Sequence, residues 1–485
     1  MYFKYVFVVF SLLFTNTLLF SNDTQRQALK TNGELVYDKV KDVNSLTDMF
    51  LDGDLYARLR SNNFYFLYNN PDTGHEDQFV TALGGSIVYN SAKYNGFDIK
   101  IAGYGSKSYF DESAIDQISH LKPAKDTLSR LNYSNDKRTY FGVLGQLNIG
   151  YTYSKTNFRL GRQLVETFYT KSNDTKMVPN TFDGIVVSSK DLEDTKIKFA
   201  YLYEQKLRDH TTSHSVLMVG DSKSSSKDNP QWTENDDSAM HRGLTYSALK
   251  AEGKPTDAPL IVLDIENKSI NYLKINFASY VVPELLSQAM GELNYKVKFD
   301  GFSITPGFRY LQQFDNGAGK VGGASIYKVG LNSYKDKNSL NSKMIAARLV
   351  ANIDDYKINL AYTNILDEAD LVTPWRGFPT SGYTRSMGIY NWRANTKSYR
   401  LELVKGANKT GVYKKPFLQI SALFVDGDEQ KIETESMFYY AGIVQNIPAF
   451  PSLQYRLRLG YRDFVGSSSK ISNYLDSRFE LNYLF

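Results

Sequence analysis

The feature that most constrains the fold is alternation with a period of two. Across residues 452–462, Leu453, Tyr455, Leu457, Leu459 and Tyr461 share one parity, and Gln454, Arg456, Arg458 and Arg462 share the other. Successive side chains of a strand point to opposite faces, so this segment has one apolar and one charged face. Residues 292–299 repeat the pattern, with Leu293, Tyr295, Val297 and Phe299 opposite Glu292, Asn294, Lys296 and Lys298. In residues 196–203, Ile197, Phe199, Tyr201 and Tyr203 oppose Lys196 and Lys198. Segments of about ten residues of this kind, separated by turn residues, are the signature of transmembrane β-strands. They recur over residues 51–485 with no helical period between them. The 36 Tyr, 29 Phe and 33 Gly against 13 Pro favour β structure. Beyond the first twenty residues no apolar run reaches the ~18 needed for a membrane helix, which excludes a helical membrane protein.

The spacers are also ordered. Candidate strands begin near Asp54, Val80, Phe97, Tyr140, Asn157, Phe182, Lys196, Pro259 and Ile270, then near Gly291, Phe302, Ser342, Tyr356, Thr396, Lys415, Ser436, Ser452 and Asn473. Short turns follow even-numbered strands, and the long connections 110–138, 164–181, 206–258, 315–341 and 366–395 follow odd-numbered ones. Outer-membrane barrels have short periplasmic turns and longer outside loops in strict succession. The reading is therefore an all-β transmembrane antiparallel barrel of about eighteen strands. Strand 260–266 is the segment required to keep the parity.

Both termini fit export to an outer membrane. Residues 1–21 have Lys4, an apolar stretch from Tyr5 to Phe20 and Ser21, the layout of a signal peptide. A single anchoring helix is the alternative. Residues 22–50 read as a short periplasmic lead-in, and 51–485 as the barrel domain. At the other end Phe479, Leu481, Tyr483 and Phe485 alternate, and Phe485 is the last residue. Such an ending is similar to the assembly signal read by the barrel-insertion machinery.

Several stretches resemble the OprD-type outer-membrane porin family, especially its campylobacter-like members. They are Ala82-Leu-Gly-Gly-Ser-Ile-Val-Tyr89, Tyr94-Asn-Gly-Phe97, Phe158-Arg-Leu-Gly-Arg-Gln163, Asn173-Asp-Thr-Lys-Met-Val-Pro-Asn-Thr-Phe-Asp-Gly184, residues Thr373 to Arg385, and Tyr455-Arg-Leu-Arg-Leu459. The resemblance implies a monomeric barrel for substrate-selective diffusion, with the third and seventh outside loops folding inward. Here those loops are 164–181 and 366–395.

A barrel this wide has a polar lumen whose side chains set selectivity. Turning each apolar face outward places Arg58, Arg60, Lys100, Arg159, Lys196, Lys198, Lys296, Lys298, Arg309, Arg348, Lys357, Arg400, Arg456, Arg458, Arg462 and Arg478 inside. The inward acids are fewer: Asp54, Asp98, Glu292, Glu402, Asp476 and Glu480. Guanidinium forks grip carboxylates in bidentate fashion, so a row of weak sites would pass a carboxylate along the channel. The resemblance implies such a basic ladder; the bland reading is that these charges only solvate the wall. The third loop adds Glu166 and Asp174, and the seventh adds Asp367, Glu368 and Asp370. An acid opposite the basic wall would select solutes carrying ammonium and carboxylate together. Trp375, Tyr383 and Arg385 are the other constriction candidates, with aromatic packing an equal account of Trp375.

Other signals are discounted. Gly317-Ala-Gly-Lys-Val-Gly322 matches a dinucleotide pattern but is expected to open no helix and lacks a βαβ context. Asp426-Gly-Asp-Glu429 reads as a polar hairpin tip rather than a calcium site. His75, His120, His210, His214 and His241 all fall in loops, none beside a strand serine, so neither metal nor catalytic chemistry is expected. The lack of cysteine excludes disulfides, thiolate metal sites and cysteine nucleophiles. The balance of 57 basic and 52 acidic residues is too even to indicate nucleic acid. The expected partners are small solutes, the lipid bilayer, lipopolysaccharide and the insertion machinery, with no cofactor, as a monomer or loose trimer. The alternative is a surface adhesin acting through the long fourth loop, 206–258.

Overall fold

A computed structural model describes residues 27–69, 77–110, 127–217, 240–465 apart from Ala407, Lys409, Ile432 and Glu433, and 472–485. The leader expected over residues 1–21 lies outside these residues, as do His75 and His120.

Eighteen long strands close into one antiparallel barrel. In chain order they are β1 Asp54–Tyr68, β2 Gln78–Asn90, β3 Phe97–Phe110, β4 Tyr140–Tyr153, β5 Thr156–Gln163 and β6 Thr181–Ser189. Then come β7 Thr195–Lys206, β8 Leu260–Asn267, β9 Leu273–Val282, β10 Leu286–Tyr295, β11 Phe302–Asp315 and β12 Ser342–Ile353. The last six are β13 Tyr356–Ile365, β14 Thr396–Lys405, β15 Phe417–Asp426, β16 Ser436–Ile447, β17 Phe450–Phe464 and β18 Tyr474–Leu484. β18 returns to β1 with Leu481 opposite Ser61 and Tyr483 opposite Leu59. Among the described residues closure leaves no edge of the barrel unpaired, the condition for a sheet inside lipid.

Alternation sets the two faces. In β1, Leu55, Leu59 and Leu67 are exposed while Tyr56, Arg58, Arg60 and Asn62 are buried inside. β17 and β18 follow the same rule, so Phe479, Leu481, Tyr483 and Phe485 lie on the outward face. The segment 260–266 is a barrel strand paired with β7 and β9.

Two boundaries differ from the sequence reading. β9 begins at Leu273, because Tyr272 adopts a positive φ of 66° and turns the chain there. β10 begins at Leu286, not Gly291. Its upper half, Leu-Ser-Gln-Ala-Met, has small residues outward and buries Leu286 and Met290 inward, so it carries no lipid-facing signal.

The inward apolar residues have a structural cause. Phe182, Leu202, Leu260, Val262, Tyr280, Val282, Leu286, Met290, Leu311 and Met344, on the outer halves of β6–β12, form one buried cluster with residues of the outside loops. Leu207, Val216, Met240, Leu244 and Leu249 come from loop L4 (207–259), Ile326 and Leu340 from L6 (316–341), and Leu371, Val372, Trp375 and Trp392 from L7 (366–395). Folded loops therefore fill the lumen beside these strands, and the polar passage lies against the remaining wall. The described parts of L4 turn inward; residues 218–239 of it lie outside the described residues.

The glycine-rich segment of L6 is a correction to the sequence reading. It does open a helix, the single turn Ala318–Gly322, with Gly317 at its start. The glycines are required by close packing: a Cβ on Gly319 would stand 2.6 Å from the Asn338 carbonyl oxygen, and one on Gly322 would stand 2.5 Å from His241 Cε1.

Candidate functional site

The polar wall is built from period-two strands whose inward residues are arginine, lysine, glutamate and asparagine. Three of its charge clusters hold one carboxylate between two cations. Glu292 of β10 faces Arg309 of β11, with Nε–Oε2 at 2.7 Å, and Arg348 of β12 at 3.4 Å. Glu402 of β14 pairs with Arg400 and, at 3.3 Å, with Lys357 of β13. Glu480 of β18 pairs with Arg458 of β17 and lies 3.9 Å from Arg60. One carboxylate between two cations leaves a net positive charge in each cluster. Asp98 with Arg159 (2.5 Å) and Asp476 with Arg478 (Nε at 2.8 Å) are balanced pairs.

Loop L3 (164–180) is fastened to this wall. Asp174 accepts one N–H from Arg58 Nη2 and one from Arg60 Nη1, the latter at 2.5 Å, and all three side chains are buried. Burial raises the Asp174 carboxyl pKa, but the two guanidinium groups outweigh it and hold the group below the ordinary carboxylate range. Asn62 donates to the Lys176 carbonyl, and the Lys176 ammonium stands 4.0 Å from the Phe64 ring centre. Lys198 donates to the Glu166 carbonyl at 2.7 Å. The Glu166 carboxylate accepts from the Ser172 amide at 2.7 Å and lies 3.5 Å from Lys171.

Loop L7 is fastened through its backbone. Arg309 donates to the carbonyls of Pro379 (2.7 Å) and Ser381 (2.9 Å), Arg348 to Gly382 (2.8 Å) and Arg400 to Tyr383 (3.4 Å). The Tyr383 ring is clasped between Arg309 and Arg348 at 4.4 and 4.6 Å. Arg385 donates to the Ile389 carbonyl at 2.6 Å and stacks over Phe378 at 4.7 Å.

The sequence-predicted residues thus separate by role. Arg309, Arg348 and Arg400 hold L7, while Arg58 and Arg60 hold L3. Arg458 and Arg478 keep 16% of their side chains open and Arg348 keeps 20%. Lys196 sits on Glu266 at 2.8 Å, and Arg462 donates to Ser436 at 3.1 Å. Lys296 and Lys298 are exposed beyond the end of β10, with Lys298 over the Tyr272 ring at 5.0 Å. Among the loop candidates, Asp370 is wholly buried and accepts from the Tyr334 hydroxyl and the Ala394 amide, so it organises L7. Asp367 is taken by Lys431 at 2.8 Å, and Glu368 by Lys343 at 2.8 Å. Trp375 is fully buried, donating to the Val216 carbonyl with its ring edge-on to Tyr280 at 4.7 Å, as the packing account requires.

Sequence reasoning missed a third contributor. Within the expected lead-in, Gln27–Leu29 and Leu35–Tyr37 pair as a hairpin against the inner wall. Inward Gln454 donates to the Leu29 carbonyl at 3.0 Å, and Arg456 to the Lys30 carbonyl. Tyr37 packs on inward Tyr56 at 4.7 Å, with the Lys100 ammonium 5.1 Å above its ring. Arg456 is consequently buried, unlike Arg458. A pair of three-residue strands is too short for periodicity to reveal.

The model of the OprD outer membrane porin family matches residues 120–252. Over those residues the chain is similar to this family. Solved structures share the whole barrel. Pseudomonas aeruginosa OccK8 (OprE) superposes with a TM-score of 0.67 at 15% identity, covering 90% of this chain and 99% of that one. Acinetobacter baumannii OccAB3 gives 0.66 at 14%, covering 89% and 99%. Pseudomonas aeruginosa OpdK, solved with vanillate, gives 0.65 at 12%, covering 89% and 98%. No curated sequence matches the chain. The likeness to these structures shows a shared barrel fold. The Gly-Arg-Gln to Phe-Asp-Gly stretch of the resemblance is a clasp between β5 and β6: Arg162 grips Asp183 at 2.8 and 2.9 Å, and Gln163 donates to the Gly184 carbonyl at 3.2 Å.

Proposed function

We propose that the chain is an outer-membrane porin that selects small solutes bearing a carboxylate, such as amino acids or small organic acids, and passes them along inner-wall residues of β12, β17 and β18 and along L7. The observation that carries this is the partial exposure of the inward Arg458, Arg478 and Arg348, each guanidinium braced by a carboxylate but not consumed by it. A fork held in place by one acid still presents N–H donors to a second, while the compensating acid keeps binding weak enough for release. Vanillate, the solute in the OpdK structure, is itself a carboxylate. The reading includes export by the 1–21 leader and insertion directed by the Phe485-terminated strand. Liposome swelling with a panel of amino acids, dicarboxylates and sugars of matched size tests it. Carboxylates should outpace neutral sugars; equal rates would refute selectivity while leaving diffusion intact.

A further inference from the structure

In L3 and L7 Asp174 is spent on Arg58 and Arg60 and Asp370 is buried, while Glu166, Asp367 and Glu368 stay 29%, 34% and 30% exposed, each beside a lysine. The N-terminal hairpin brings a more exposed one into the passage. Its turn is closed by Gly33 N–H to the Lys30 carbonyl (3.0 Å) and Lys30 N–H to the Glu34 carbonyl (2.9 Å). The Glu34 side chain is 40% exposed, 3.1 Å from the Lys30 ammonium, which is itself 30% exposed. The tip spans the passage. On one side the Thr31 amide donates to the Tyr413 hydroxyl at 3.2 Å, in the turn after β14. On the other, Gly33 meets L3 with φ +88°, and a Cβ there would stand 2.6 Å from the Asp174 carbonyl oxygen. Glu34 also lies within electrostatic reach of Lys198 on β7.

We propose that this hairpin is a resident part of the pore's narrow section, in which Glu34 supplies the carboxylate that faces the basic wall. The hairpin takes Arg456 out of the solute path and leaves Arg458 and Arg478 within it. Glu34 on one side and these guanidinium groups on the other hold the ammonium and carboxylate of a zwitterionic solute together. The substrate class is therefore α-amino acids in preference to carboxylates without an ammonium group. The inference rests on the carboxylate-channel reading above and deepens it.

The test uses the full chain purified from outer membranes. Glu34→Gln should move the reversal potential in a KCl gradient toward anions. It should also lower the swelling rate for glycine relative to acetate by roughly threefold, the scale of one solvent-exposed ion pair. A folded variant with both values unchanged would overturn the assignment. Because the native chain has no cysteine, Glu34→Cys provides a second measurement. A cationic methanethiosulfonate added to an open channel should react and lower single-channel conductance. No reaction, or reaction without a conductance change, also overturns it. If wild-type protein favours acetate and glycine over sugars equally and Glu34→Gln changes nothing, the hairpin role fails alone. If wild-type shows no preference for carboxylates over sugars, the underlying reading fails first.

Discussion

Asp174→Asn is the sharpest perturbation of the pore, because one carboxylate joins L3 to two buried arginines. The amide keeps the size and loses the charge. Arg60 still has Glu480 at 3.9 Å, but among the described residues no other acid stands within ion-pair distance of Arg58, and its Nε and Nη1 find no hydrogen-bond partner there. Breaking a buried pair by removing one partner costs about 3–5 kcal/mol. With Arg60 partly compensated, the lower end applies, and about 3 kcal/mol shifts the docking equilibrium of L3 by about a hundredfold. The expected result in planar bilayers is greater open-channel noise, a wider range of conductance levels and a shift of reversal potential toward anions. The barrel should keep its heat-modifiable band on gels. Acid should not mimic the mutation under ordinary conditions. A carboxyl held below its ordinary range contributes stability that is present above the unfolded pKa and lost only as pH falls through the folded one. L3 should therefore stay docked at pH 5. A folded Asp174→Asn channel with wild-type noise, conductance and selectivity would refute the anchoring role.

Three further outcomes follow from the same geometry. Arg458→Ala and Arg478→Ala should each slow carboxylate swelling and reduce anion preference with folding intact, whereas Arg458→Lys should preserve conductance better than carboxylate flux because it keeps charge but not the fork. Deleting Phe485 removes the exchange of hydrogen bonds with Ala57 (2.7 and 3.0 Å) and the outward terminal ring, so the yield of folded band should fall; an unchanged yield would separate closure from assembly. His241 is buried with Nε2 2.9 Å from the Gly323 carbonyl oxygen and Nδ1 accepting from the Gly243 amide at 3.1 Å, and burial lowers its pKa to about 4. The unfolded chain then binds the proton first, so stability of the L4–L6 packing should decline as pH falls from about 6.5 to 4, by up to about 3 kcal/mol. Hydrogen exchange of residues 240–251 at pH 7 and 4.5 reads it, with His241→Gln removing the pH dependence.

The sequence by itself determined the barrel, its strand number and which face of each strand meets lipid. A two-residue period leaves one decision per strand, and in lipid the apolar parity has only one place to go. That decision put Arg58, Arg348, Arg400, Arg456, Arg458 and Arg478 on the inner face without reference to any neighbour. What the sequence did not contain is how those arginines divide. Arg456 and Arg458 differ by one pleat on the same face, yet one is sealed by the Lys30 carbonyl and the other stays open beside Glu480. Asp370 and Asp174 read alike as loop acids, yet one organises L7 and the other anchors L3. Upper β10 lost its signal for the same reason: Leu286 and Met290 face inward onto folded loops rather than outward onto lipid. Contacts between chain segments hundreds of residues apart have no local period, and only the closed barrel, by holding loops and hairpin in one lumen, decided which charges were spent on structure and which were left for the solute.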